Sequence, residues 1–543
     1  MTNEVTSAWG GFWRRVLLTL CPLALSACAA SQPAPPDLTQ LYKRTAEAGV
    51  EARNPLIVVP GTLGSQLQHK PTGELVWGGR RFSVDPETDK GFELLALPIG
   101  DGDTPLAELR DGVEPAGLLQ KAQVGFLGGV IEEGVYDGIV RTLSAGGYRP
   151  TAASRLRGRF EEVFLPSAAE ITLIDRSPDP QPPQSAETND DSVVFDYDWR
   201  RDLVESAQEL YRELDRRRVQ QALGQPAFEG TPPNPPRFDL IAHSMGGLAI
   251  RYFLMYGDAE LPLEGPLPPV TWKGAELVEK VVIVGTPHAG SITAFENLVN
   301  GKSFSPLTPD FQASLLGTHP SMYQLMPRAR HARVVWDGDP TRPVNELYDI
   351  ELWDRHRWGL LADSAQETLA ILLPDLSPDA RRARARAHLE RMLQRAERFH
   401  TAIDRSVAPP PGLDVFLVVG GGFQTPAVGS VDATSGEVTI SGFEEGDGVV
   451  LRSSALFDER VGQEYTPGLR SPYRFRATLF LPDEHVSLTQ SEILGDNLLF
   501  WLLEEPRRAT PADLALPSLG GLDPSRPQDG GVVDDQPDVE PLR

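Results

Sequence analysis

A chain of 543 residues with 40% apolar and 23% charged residues has ample material for a core, which excludes a wholly disordered, collagen-like or coiled-coil protein. Its 51 basic against 76 acidic residues give a formal net charge of −25, so phosphate backbones repel it and no general nucleic-acid binding is expected. The 50 Gly and 49 Pro foretell many loops.

In chain order, the first element reads as a targeting segment. Arg14 and Arg15 are followed by an apolar run at 16–24. That run is too short for a membrane-spanning helix, which needs roughly 20 residues. Leu25-Ser26-Ala27-Cys28 then resembles a bacterial lipobox, the signal for cleavage before a cysteine that receives lipid. The expectation is a lipoprotein signal peptide at 1–27 and a Pro/Ala-rich tether at 28–51, with the protein lipid-anchored in a bacterial cell envelope. Ala29 instead of Asp favours the outer membrane. The alternative is an ordinary cleaved signal with Cys28 incidental. The two cysteines are Cys21 and Cys28, so the mature chain can form no internal disulfide and no Cys-based zinc site.

Residues 52–505 form the expected main domain. Apolar, β-branched runs at 56–59, 193–197, 238–242, 281–285, 414–420 and 474–481 predict buried strands of a mostly parallel sheet. Stretches 202–223 and 246–256 predict helices between them, which makes an α/β fold with helices on both faces. Residues 177–191 read as a polar, Pro-rich insertion. Residues 291–412 lack a clear strand pattern and read as an inserted cap or lid, ending in an Arg/Ala-rich helix at about 378–405. Its Trp336, Trp353 and Trp358 either line an acyl pocket or form the cap's own core. The Pro/Asp/Gly-rich stretch 506–543 predicts a disordered tail.

The strongest chemical signal is Ala242-His243-Ser244-Met245-Gly246-Gly247, between the apolar run 238–242 and an apolar helix. Strand, sharp turn and helix are the setting in which a serine hydroxyl is held exposed as a nucleophile. Ala242 and Gly246 are small, as the close approach of strand and helix requires. A serine needs a base, and the base an orienting carboxylate, here in the order Ser, acid, His. His485 follows the last strand and is the expected base. His243, beside the serine, is set aside as a decoy. Asp447 lies on a Gly-flanked turn and is the expected acid, with Glu444, Glu445 and Asp458 as rivals. The oxyanion needs two backbone donors. Met245 N–H is one, and Thr62, in the Gly-flanked loop 60–65, is the other, with Leu63 its near rival. No metal and no cofactor is called for.

These motifs together resemble the lecithin:cholesterol acyltransferase family, whose relatives include lysosomal phospholipase A2 and phospholipid:diacylglycerol acyltransferases. The likeness rests on a series in order: Val59-Pro60-Gly61-Thr62-Leu63-Gly64-Ser65, Tyr197-Asp198-Trp199-Arg200, the elbow at 242–247, Gly285-Thr286-Pro287-His288-Ala289-Gly290-Ser291, Thr425-Pro426, Gly446-Asp447-Gly448 and Glu484-His485. It implies an α/β-hydrolase core, a lid over an acyl pocket and acyl transfer from lipid esters. It also implies Ser244, Asp447 and His485 as triad and Thr62 and Met245 as oxyanion donors. Val449 stands where the family usually has Thr, and the chain lacks the cysteines of the disulfide-bounded lid of animal members. The expected partners are a lipid ester and, through Cys28, a membrane; no protein partner is read. A carboxylesterase for small esters, or a non-catalytic envelope lipoprotein keeping the fold, are the alternatives.

Overall fold

The apolar runs form one central sheet. Its strands lie in the order Phe475–Leu481, Asp414–Gly420, Val278–Val284, Phe238–His243, Leu56–Val59, Ser192–Val194 and Pro150–Ala152, and all pairings are parallel. The structure, a computed structural model, describes residues 36–47, 53–79, 84–126, 129–152, 192–222, 237–303, 309–328, 330–331, 333–460 and 467–505. The signal segment with Cys28, the insertion 177–191 and the tail 506–543 lie outside the described residues.

Alternation along each strand sends side chains to two separate cores. Ile57, Val59, Leu240, Ala242, Val281, Ile283, Leu417 and Val419 join one cluster, together with Leu203, Leu210, Leu248 and Phe253 of helices Leu203–Ala222 and Gly246–Tyr256. Leu56, Val58, Ile241, Val282, Val284, Phe416 and Val418 join the other, with Ile139 and Leu143 of helix Asp137–Ala145 and Leu494 and Leu498 of helix Glu492–Leu499. Burying both faces is why these strands read as continuous apolar runs. Each buried Val, Leu or Ile adds roughly 1.5–3 kcal/mol relative to exposure. Through Leu503 the chain is one compact unit. Among the described residues no helix is long and apolar enough to cross a membrane.

Two expectations need correction. Residues 291–412 do contain strands: Arg333–Trp336 and Asp339–Pro343 pair with each other and, through Arg333–Trp336, with Phe423–Val431. Phe423–Val431 pairs in turn with Val438–Gly446, so this second sheet extends past 412 into the segment leading to Asp447. Arg333–Trp336 has only four residues, and the edge strand Asp339–Pro343 is polar with two prolines, so neither carries a readable alternation. Second, the tether is not featureless. Helices Leu38–Leu41 and Lys43–Glu47 lie within it, and the Tyr42 hydroxyl donates to the Asp496 carbonyl at 3.2 Å. Of the two readings of the tryptophans, burial favours a core role for Trp353 and Trp358: they join the same buried cluster as the sheet, edge-to-face with one another at 5.6 Å and with Phe295. Their indole N–H groups donate to the Leu347 and Gly436 carbonyls, so neither presents a polar edge to a ligand. Trp336 is half-buried beside His356. The long helix runs Pro378–Ile403, close to its expected span.

Parallel strands bring their carboxyl ends to one edge of the sheet, where ligands bind in open α/β folds. The loops after Val59, His243 and Val284 and the turn after Leu481 all open there.

Candidate active site

Ser244 follows directly on strand Phe238–His243 and precedes helix Gly246–Tyr256. Its φ is +52°, a left-handed value that strains a non-glycine residue and holds the side chain out of the sheet edge. Three bonds hold the turn. The Ser244 N–H donates to the Val284 carbonyl at 2.9 Å, and the Ser244 carbonyl accepts from the Thr286 hydroxyl at 2.8 Å and from Gly247 N–H at 3.0 Å. A Cβ at Gly246 would stand 2.5 Å from the Pro60 carbonyl oxygen, and one at Gly247 2.0 Å from the Thr286 hydroxyl oxygen. The turn therefore tolerates no side chain at either position.

The structure brings the three expected side chains together. His485 Nε2 lies 2.8 Å from Ser244 Oγ, and His485 Nδ1 lies 2.8 Å from Asp447 Oδ2. Asp447 is buried, and its other oxygen accepts the Val449 and Val450 N–H groups at 3.0 and 2.6 Å. Gly448, at φ +89°, allows this tight return, and its N–H donates to the buried Thr425 hydroxyl at 2.9 Å. Burial pushes the Asp447 carboxyl up. The facing His485 and the Val450 and Val449 N–H groups outweigh that and hold it below the usual carboxylate value. The rival acids lie elsewhere: Glu445 is exposed and pairs with Arg452, Glu444 is exposed, and Asp458 pairs with Arg460.

The loop after strand Leu56–Val59 lies against the serine. Gly61 approaches so closely that a Cβ there would stand 2.7 Å from Ser244 Cβ. Gly64 N–H donates to the Gly61 carbonyl at 3.1 Å, closing the turn. Leu63 has a left-handed φ of +62°, and its carbonyl accepts the Trp77 indole N–H at 2.8 Å. The Thr62 hydroxyl donates to Met245 Sδ at 3.2 Å, which ties this loop to the elbow. The Thr62 and Met245 N–H groups, and that of the rival Leu63, have no acceptor among the described residues.

His243 does not contact Ser244 Oγ, yet it is part of the site. It is buried between Tyr136, whose hydroxyl lies 2.8 Å from its Nδ1, and the His485 carbonyl, 3.2 Å from its Nε2. Burial, and then the neighbouring His485, push it down to about 3, so the ring is neutral across ordinary pH. Sequence reasoning missed Tyr136, Trp77, Thr286 and Thr425. Thr286 and Thr425 sat inside motifs that were quoted for the resemblance. Nothing in the local sequence marks Tyr136 or Trp77. Among the described residues no group of three His, Cys, Asp or Glu side chains is placed to hold a metal ion.

A parallel sheet, a strained serine turn at its carboxyl edge and a Ser–His–Asp chain of contacts define the class: the fold is that of the α/β-hydrolases. Residues 186–355 match the family model described as lecithin:cholesterol acyltransferase, which bears out the resemblance carried by the motifs and includes the elbow. The match supports a lipid ester hydrolase or acyltransferase in general terms. The chain is also similar to a solved structure described as the crystal structure of the Tle4–Tli4 complex, at 14% identity and a TM-score of 0.43, over 83% of this chain and 99% of that one. None of the curated proteins matches the chain in sequence.

Proposed function

We propose that the protein is a serine enzyme that transfers acyl groups from lipid esters through an acyl-enzyme on Ser244. Neutral His485 takes the hydroxyl proton at Nε2 as Ser244 Oγ attacks the ester carbonyl. Asp447 fixes the proton on Nδ1 and steadies the imidazolium that forms. The Thr62 and Met245 N–H groups donate to the tetrahedral oxyanion, where preorganised donors act most strongly. Collapse of the intermediate expels the lipid alcohol, which takes the proton from His485. Water or a second alcohol then repeats the sequence on the acyl-enzyme.

The observation that supports this reading is the pair of 2.8 Å contacts that line up Ser244 Oγ, the His485 ring and the Asp447 carboxylate. The lipid class of substrate rests on the lecithin:cholesterol acyltransferase match at residues 186–355. Leu25-Ser26-Ala27-Cys28 supports anchoring of the enzyme in the envelope by lipid on Cys28.

The test is labelling with a fluorophosphonate, followed by product analysis with a phospholipid donor, with and without a sterol or long-chain alcohol. Labelled wild type and unlabelled Ser244→Ala are expected. Free fatty acid alone assigns water as acceptor, and a new ester assigns an alcohol. Equal labelling of wild type and Ser244→Ala refutes the reading.

A further inference from the structure

Three separate segments must be held in register for this chemistry: the loop carrying Thr62, the elbow carrying Ser244 and the turn carrying His485. One line of buried hydrogen bonds joins them. Gly61 N–H lies 2.8 Å from the Tyr136 hydroxyl oxygen, that oxygen 2.8 Å from His243 Nδ1, and His243 Nε2 3.2 Å from the His485 carbonyl oxygen. Tyr136 and His243 are both buried, and their rings meet edge-on at 5.6 Å.

The two ends of this line dictate where every proton sits. Gly61 N–H can only donate, so the Tyr136 oxygen accepts there and its O–H is left to donate to His243 Nδ1. Nδ1 must then be bare, which puts the ring proton on Nε2. Nε2–H in turn meets the His485 carbonyl, which can only accept. A single arrangement satisfies every member, and a neutral His243 is the form that fits it.

The mechanical consequence lies at Gly61. Its closeness to Ser244 Cβ leaves room only for glycine, and glycine is the residue whose backbone is freest to turn. The next amide is that of Thr62. The bond from Gly61 N–H to Tyr136 restores the rigidity that the glycine gives up. At the other end, His485 has its Nδ1 and N–H held by Asp447 and its carbonyl held by His243.

We propose that Tyr136 and His243 are positioning residues for the reaction, which hold the Gly61 amide and the His485 main chain in register so that the Thr62 donor and the imidazole face Ser244 together. The inference rests on the serine reading above. Three substitutions test it. Tyr136→Phe removes the hydroxyl and keeps the ring. His243→Asn keeps an acceptor at the Nδ1 position for Tyr136 but does not reach the His485 carbonyl. His243→Gln keeps a donor at the Nε2 position but leaves Tyr136 without an acceptor.

Losing a direct oxyanion donor costs about 10²–10³ in kcat, so an aiming bond one residue away is expected to cost about tenfold or somewhat more. With a long-chain p-nitrophenyl ester, kcat should fall by about that factor in each variant while KM stays within about twofold. An alkylboronic acid, whose tetrahedral adduct uses the same donors, should bind Tyr136→Phe about tenfold more weakly at a temperature where the variant is still fully folded. Wild-type kcat and boronate affinity in labelled, folded Tyr136→Phe overturn the positioning role alone. So does a loss of kcat in all three variants that only tracks their loss of folded protein. A wild type that takes up no fluorophosphonate overturns the serine reading beneath it.

Discussion

His485 is bonded to Asp447 twice: its ring Nδ1 lies 2.8 Å from the carboxylate, and its main-chain N–H donates to the Asp447 carbonyl at 3.0 Å. The backbone bond keeps the two residues adjacent whatever the state of the carboxyl. The side-chain bond alone decides which ring nitrogen carries the proton. Geometry and proton placement are thus held by different atoms of the same pair.

Asp447→Asn separates the two. Val449 and Val450 N–H groups claim the inner oxygen, so the new amide NH2 must take the place of Oδ2 and donate to Nδ1. The ring proton is then forced to Nε2, which can no longer accept from Ser244. A fall in kcat of about 10⁴ is expected with the fold retained. Steady-state rates together with a circular dichroism melt check it, and a loss of less than tenfold counts against Asp447 as the orienting acid.

Acid should unfold the protein through its buried histidines. Burial, before any other cause, lowers His243 and His400 to about 3 and His319 and His388 to about 4. The unfolded chain takes up these protons below the ordinary value of about 6.5, whereas the folded chain does not. The unfolded state therefore binds more protons in this window, and stability rises with pH there. The contribution of these residues is complete above about pH 6.5 and fades as pH falls towards 4. Urea midpoints at pH 7, 6 and 5 should drop steadily; near pH 5 these four rings alone take up about three to four protons on unfolding, to which buried His288 adds and buried Asp239, raised to about 7, subtracts. A flat profile would show that these rings are not held neutral.

Gly61→Ala should silence the site without removing any group named in the mechanism. Its methyl would stand 2.7 Å from Ser244 Cβ and 3.3 Å from Ser244 Oγ, which must push the loop and the elbow apart. Moving the oxyanion donors away is expected to cost about 10²-fold or more in kcat. Gly61 is not among the glycines with a left-handed φ, so the clash and not backbone strain is the cause. Near wild-type kcat in Gly61→Ala would contradict the close approach.

Acyl-chain preference separates a lipid enzyme from a small-ester hydrolase. Each buried methylene contributes roughly 0.8 kcal/mol, so a site built for lipid should gain with length. A series of p-nitrophenyl esters in detergent should show kcat/KM rising from acetate to medium and long chains. Highest efficiency on acetate with a steady fall thereafter would assign the protein to small esters.

Much of this was legible in the sequence because the physics is local. Strand Leu56–Val59 is buried on both faces and reads as an unbroken apolar run. Ser244 is marked by small neighbours that the strand and helix demand, and Asp447 by glycines that let the chain double back. Strand Pro150–Ala152 has three residues and no alternation to detect. The partners of His243 are set by tertiary contact: Tyr136 lies 107 residues away, and no spacing rule connects them. His485, and not His243, lies within hydrogen-bond distance of Ser244 Oγ. What the His243 ring faces instead is decided by segments that only the fold brings together.

The segment 291–412 is not a free flap. Arg333–Trp336, inside it, is laddered to Phe423–Val431, which is laddered to Val438–Gly446, and the next residue along is Asp447. Segment 333–336 and Asp447 hang on one continuous ribbon, so a shift of this sheet is passed on to the carboxylate. Any movement of segment 333–336 must therefore hinge elsewhere, or the contact between Asp447 and His485 slackens with it.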